Sequence, residues 1–139
     1  VPDFLANKVL TLIPSSTEGK FSPSVLLLGL TFKPNVFDIR NSKALELADL
    51  LIERDVTLEV YDPIGRISEK SSADYRFVDD PFEYSKTYDA VIFAVSHDVL
   101  LERKTDIVNL VKIGGVVVDL VSALSQFDIE SQGRSYWSL

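Results

Sequence analysis

The sequence predicts an α/β fold in which a mainly parallel sheet is covered by helices on both faces. Two observations carry that prediction. Residues 25–30, 89–95 and 116–121 contain nearly continuous apolar runs, the mark of strands buried on both faces, and lack the alternation of a half-exposed sheet. Segments with helical periodicity lie between them, so strand and helix alternate along the chain, which calls for right-handed crossovers between parallel neighbours. The expected architecture is a Rossmann-like three-layer sandwich, preceded by part of a linking helix.

Taken in order, Phe4, Leu5, Val9, Leu10, Leu12 and Ile13 recur near helical spacing and Pro2 suits a first turn. Residues 1–14 are therefore expected to hold a helix. Residues 15–23 are polar, with Ser15-Ser16-Thr17-Glu18-Gly19-Lys20, and read as a linker; residues 24–139 form the main domain. After the first strand, Asn41 or Ser42 caps a helix running to about Arg54. Ala44, Leu45, Leu47, Ala48, Leu51 and Ile52 face its core side, and Lys43, Glu46, Asp49 and Glu53 face water. Residues 57–61 form the next strand, stopped by Asp62-Pro63. The middle is less regular, with a short helix expected within 64–73 and a short strand at 76–78. A strand over 89–95, a helix over 97–111 and a strand over 116–121 introduced by Gly114-Gly115 follow. Residues 134–139 are expected to add an edge strand.

At 139 residues, 46% apolar and 25% charged, the chain is long enough for one domain with a real core and short for two. A net charge of −7 argues against a general nucleic-acid surface, which needs clustered Lys and Arg. It leaves room for a local cationic pocket that takes an anionic small ligand. With no Cys, this chain carries no disulfide, thiolate metal site or cysteine nucleophile, and no metal-ligand cluster stands out. No apolar run approaches the roughly 20 residues of a membrane helix, and no signal-peptide pattern opens the chain, so the cytoplasm is the default compartment. The first residue is Val1 rather than Met, so a fragment of something larger is expected.

Ligands of such sheets sit beyond the carboxyl ends of the strands, near the switch in strand order. The first strand leads there into Gly29-Leu30-Thr31-Phe32-Lys33-Pro34-Asn35-Val36-Phe37-Asp38-Ile39-Arg40-Asn41-Ser42. A dinucleotide turn of the form G-x-G-x-x-G needs three glycines, and only Gly29 is present. Lys33 and Arg40 bring cationic side chains instead, which suits a phosphate-bearing ligand held by side chains, with Phe32 stacked on a planar base. Arg40 has an equally good structural reading as the ion-pair partner of Asp38, whereas no sequence neighbour of Lys33 needs its charge. Asn41 and Ser42 read as helix caps. Asp62 occupies the ribose-reading place of an NAD fold, but without the glycine turn it is more simply an Asp-Pro turn. Asp79-Asp80, ahead of Pro81, reads as a solvated turn rather than a phosphoacceptor pair. His97, the sole histidine, stands where a general base at the carboxyl edge would stand; with no evident partner it reads more simply, with Ser96, as a helix start. Spacing alone defines no catalytic dyad.

The block from Gly29 to Ser42, followed by a helix and Val60-Tyr61-Asp62-Pro63, resembles the C-terminal, UDP-binding domain of the UDP-glucose/GDP-mannose dehydrogenase family. Ala94-Val95-Ser96-His97 and Tyr136-Trp137-Ser138-Leu139 are similar to the branch that oxidises UDP-N-acetylhexosamines. Pro2-Asp3-Phe4 resembles the start of the long helix that joins the two halves of these enzymes, which implies that residues 1–14 are the end of an inter-domain linking helix. The resemblance implies an NAD-dependent oxidoreductase that converts a sugar 6-hydroxyl to a uronic acid in two hydride transfers. It also implies that the NAD-binding domain and the catalytic cysteine belong to an N-terminal half outside this chain. The fragment is then not catalytic alone and binds no cofactor itself. The partners implied are a UDP-sugar substrate, that N-terminal domain and a second copy in a homodimer, with a role in surface-polysaccharide synthesis. By motif position Phe32 and Lys33 contact the nucleotide sugar, and Arg40 braces the loop close to it. One position departs from the family pattern. Val121 stands two residues after Asp119, where a basic residue is usual, so a charge that faces phosphate or the partner subunit is missing. A non-catalytic flavodoxin-like regulatory or dimerisation module and a free-standing NAD-binding domain are the competing readings. Preference for UDP over NAD separates the first reading from both.

Overall fold

The computed structural model describes residues 2–14, 22–40, 42–65 and 76–139. Residues 15–21 of the expected linker over 15–23, the Asn41 cap and most of the expected helix within 64–73 lie outside them. Among the described residues a 6-stranded, all-parallel sheet has the order β3-β2-β1-β4-β5-β6. Its strands are β1 (Ser24–Leu28), β2 (Thr57–Tyr61), β3 (Arg76–Phe77), β4 (Tyr88–Phe93), β5 (Val111–Asp119) and β6 (Ser135–Ser138). Helices α1 (Pro2–Leu12) and α2 (Lys43–Glu53) cover one face; α3 (Asp98–Leu101), α4 (Lys104–Asn109) and α5 (Gln126–Glu130) cover the other.

Two-sided burial accounts for the apolar runs. Val25 and Leu27 pack with α1 and α2, while Leu26 and Leu28 pack with Leu100 and Ile107 on the opposite face. Ala90 and Ile92 divide from Val91 and Phe93 in the same way. Helix α2 begins where Ser42 caps it: the Ser42 Oγ accepts the Leu45 N–H at 3.1 Å and donates to the Leu30 carbonyl at 2.5 Å. That one hydroxyl both starts the helix and ties it to the end of β1. Leu47 and Leu51, buried beneath it, each contribute on the order of 2 kcal/mol.

The structure corrects the sequence reading between 97 and 121. The expected single helix is two short ones, separated where Arg103 leaves the helical region at φ −123° and ψ 35°. Val111 belongs not to that helix but to β5, fully buried and paired with Tyr88. β5 then runs through Gly114-Gly115 rather than starting after them, with a bulge between the Tyr88 and Ala90 pairings. Gly115 permits this: a Cβ there would lie 2.6 Å from the Asp89 carbonyl oxygen. Helix α5 is an addition to the sequence reading, as is the short 3-10 turn Pro81–Glu83, which Asp80 caps by accepting the Phe82 N–H at 2.9 Å. The expected edge strand is present as β6, parallel to β5.

Candidate functional site at the carboxyl edge of β1 and β4

From β1 the chain continues to β2 on one side; from β4 it continues to β5 on the other. Such a reversal opens a crevice above the two carboxyl ends. A cavity of about 230 Å³ lies there. Thr31, Phe32, Lys33 and Pro34 line it after β1, Lys43 and Ala44 from the start of α2, Ala94, Val95 and Ser96 after β4, and Val121 after β5. Gly29 lets the two strand exits come together. Its φ is +99°, and a Cβ would fall 2.7 Å from the Val95 Cβ and 2.9 Å from the Val95 nitrogen.

A buried latch shapes the loop after β1. Asn35, left-handed at φ 65°, donates its N–H to His97 Nδ1 at 2.8 Å and accepts the Asp98 N–H on its side-chain oxygen at 2.9 Å. Because Nδ1 accepts, the ring proton is assigned to Nε2, which lies 3.1 Å from Asp62 Oδ2 and 3.3 Å from Thr31 Oγ1. Asp62 also accepts the Leu30 N–H on Oδ2 at 2.7 Å and the Ile64 N–H on Oδ1 at 2.8 Å. Burial pushes the Asp62 carboxyl up, but the hydrogen bonds from His97, Leu30 and Ile64 outweigh it and hold the group below its ordinary value. Both side chains are 0% exposed. The expected Asp62 turn is there, and the same carboxylate joins the ends of β1, β2 and β4. A general-base role for His97 does not fit this geometry: the ring is inaccessible and its lone pair is occupied by Asn35.

Of the three residues singled out in the sequence, Phe32 and Lys33 line the cavity, and Phe32 is 57% exposed. Arg40 is not among the lining residues. It makes a two-pronged pair with Asp38, Nε to Oδ1 at 3.0 Å and Nη2 to Oδ2 at 2.8 Å, with 85% of its side chain exposed. The hydrogen bonds from Arg40 hold the Asp38 carboxyl down at about 2. The Asp38 carbonyl accepts the Phe32 N–H at 2.6 Å, so this pair stiffens the loop that presents Phe32. Lys43 is exposed, as helical periodicity expects, and also lines the cavity. Its place as the first residue of α2, directly after the loop, was the available signal. Among the described residues no group of three His, Cys, Asp or Glu side chains is placed to hold a metal ion, and no helix is long and apolar enough to cross a membrane.

Fold and cleft together define a Rossmann-like domain whose cleft after β1 is lined by two lysines and has no glycine-rich turn. The profile of the UDP-glucose/GDP-mannose dehydrogenase family, UDP binding domain, matches residues 26–126, and the chain belongs to that family. It is 25% identical over 142 residues to the UDP-glucose 6-dehydrogenase of Rickettsia conorii, covering 99% of this chain and 32% of the relative. It is 34% identical over 118 residues to protein CapL of Staphylococcus aureus, covering 84% of this chain and 27% of CapL. The crystal structure of the NDP-N-acetyl-D-galactosaminuronic acid dehydrogenase of Methanosarcina mazei superposes with a TM-score of 0.79 at 19% identity, covering 99% of this chain and 28% of that one, and so shares the fold. The chain spans about a third of the length of the curated relatives it matches.

Dehydrogenases of this kind generally use NAD, and the turn after β1 is where a Rossmann unit would receive it. The residues there do not fit. The places of the second and third glycines hold Thr31 and Pro34, and Gly29 is filled from above by Val95. The Thr31 hydroxyl is turned inward, donating to the Lys33 carbonyl at 2.9 Å.

Proposed function

We propose that this chain is the C-terminal, UDP-sugar-binding domain of an NAD-dependent nucleotide-sugar 6-dehydrogenase. The observation that carries the reading is the cleft at the β1–β4 switch, walled by an exposed aromatic ring and a lysine inside the region that matches the family's UDP binding domain. Phe32 stacks on the uracil ring, and Lys33 meets the diphosphate. Arg40 acts through Asp38, holding the loop in shape beside the ligand. Residues 24–139 form the domain, 15–23 a linker, and 1–14 the end of a helix that leads to an N-terminal half. NAD and the catalytic cysteine belong to that half, so this fragment does not turn over substrate alone. The misfit of the β1 turn to a dinucleotide and the lack of any Cys in the chain support this division. The whole enzyme is a cytoplasmic homodimer that oxidises a sugar 6-hydroxyl to a uronic acid for surface-polysaccharide synthesis. Calorimetric titration of the 139-residue protein with UDP and with NAD tests the reading. Saturable binding of UDP without NAD is expected; binding of NAD without UDP would overturn it in favour of a dinucleotide domain.

A further inference from the structure

We infer that Lys43 is a second phosphate-binding residue of the cleft and supplies the positive charge that Val121 does not. The inference rests on the UDP-site reading above and adds to it a residue and a charge distribution.

The protein carries a net charge of −7, yet the lining of this cavity holds two lysines, Lys33 and Lys43, and no carboxylate. An acidic protein that concentrates cations in one crevice creates a local field for an anion, and a diphosphate needs more than one counter-charge. The other walls cannot supply it. Val121 closes the β5 side with an apolar side chain that packs against the core, and Ala94 and Val95 close the β4 side. The structural alternative for Lys43 is its ion pair with Glu46, at 3.8 Å with side chains 75% and 52% exposed. A pair so long and so wet contributes little and leaves the ammonium free to turn inward. Arg40, the other cation of the loop, is held by Asp38 at 2.8 Å. The charge therefore enters from the first residue of α2 rather than from the loop after β5. An ammonium on a flexible stem acts there as a point charge on phosphate oxygens.

The test is titration of the 139-residue protein with UDP and, separately, with uridine, which keeps the base and ribose and lacks phosphate. Lys43→Gln should weaken UDP by about tenfold, the scale of one exposed charge-assisted contact, and leave uridine unchanged. The residual UDP affinity should depend less on salt. Lys104→Gln, an exposed lysine on the opposite face, controls for net charge and should change nothing. Adding Val121→Lys to Lys43→Gln should restore most of the lost UDP affinity. Undiminished UDP affinity in Lys43→Gln would overturn the inference while leaving the UDP site standing. An equal loss for UDP and uridine would overturn it too, since the effect would not be on phosphate. Binding of NAD but not UDP by the unsubstituted protein would overturn the underlying reading, and the inference with it.

Discussion

Asp62→Asn changes almost no volume, yet the latch at the carboxyl edge cannot accept it. Oδ2 receives the Leu30 N–H at 2.7 Å and His97 Nε2 at 3.1 Å, and Oδ1 receives the Ile64 N–H at 2.8 Å. A carboxamide has one acceptor oxygen, so its NH2 must face either Ile64 or both Leu30 and His97. The first orientation costs less. It orphans one part-buried N–H, about 1 kcal/mol where water can reach, and turns two charge-assisted bonds into neutral ones at about 0.5–1 kcal/mol each. The sum is about 2–3 kcal/mol. Switching the His97 tautomer offers no escape, because Nδ1–H would then face the Asn35 N–H at 2.8 Å. Urea unfolding followed by the fluorescence of Trp137, the only tryptophan, reads the effect. With a slope of about 1–3 kcal/mol per M, the midpoint should fall by about 0.7–3 M. Hydrogen exchange at Leu30 and Asn35 should accelerate along with it. A change in stability within 0.5 kcal/mol, about what a surface substitution gives, would refute the argument that this carboxylate holds three strand ends together.

Three further outcomes follow from the same geometry. Gly29→Ala should cost about 3 kcal/mol or more in urea unfolding, because a Cβ would meet Val95 at 2.7 Å and the backbone is left-handed at φ +99°; a near-neutral variant would mean the strand exits can separate. Asp62 and Glu59 are both held below their ordinary values: for Glu59 burial raises the group, but hydrogen bonds from Tyr88 and Lys86 outweigh it. The unfolded chain therefore takes up protons there first, so stability should be full above about pH 5 and fall as pH drops through about 4. Glu59→Gln should flatten that fall in urea midpoints measured from pH 7 downward, and a profile that stays level in the unsubstituted protein would contradict it. Lys33→Ala should weaken UDP by about tenfold in calorimetry, and Arg40→Ala by less, since Asp38 already engages that guanidinium; the reverse order would place the phosphate on Arg40.

The strands that build the cleft were legible because each is buried on both sides, so Val25 to Leu28 and Ala90 to Phe93 show as runs that no solvent-facing residue interrupts. That Phe32 and Lys33 line a cavity was suggested by their place directly after β1, at the carboxyl edge of the sheet. The latch was not. Asp62 and His97 are 35 residues apart, and Asp62 has a sufficient local role as a turn, so nothing nearby announces a second partner. β5 was misread for a related reason. Lys112, Ile113 and Gly114 are exposed in the middle of the strand, where the bulge lifts them off the sheet, and their polarity and glycines imitate a turn. Lys43 faces water as helical periodicity expects, and its place on the rim of the cleft was not legible because periodicity distinguishes core from surface and cannot distinguish open water from a cleft's edge.

If this edge of the sheet holds the nucleotide, ligand contact should register in the backbone amides around the cleft. An amide-shift NMR titration of the 139-residue protein, with UDP and NAD added separately to millimolar concentrations, tests it most directly. UDP should give saturable shifts centred on Phe32, Lys33 and Lys43, extending to Ser96 and Val121, and NAD should give none. Saturable UDP shifts confined to the face formed by α4 and α5, with the β1–α2 loop silent, would contradict it.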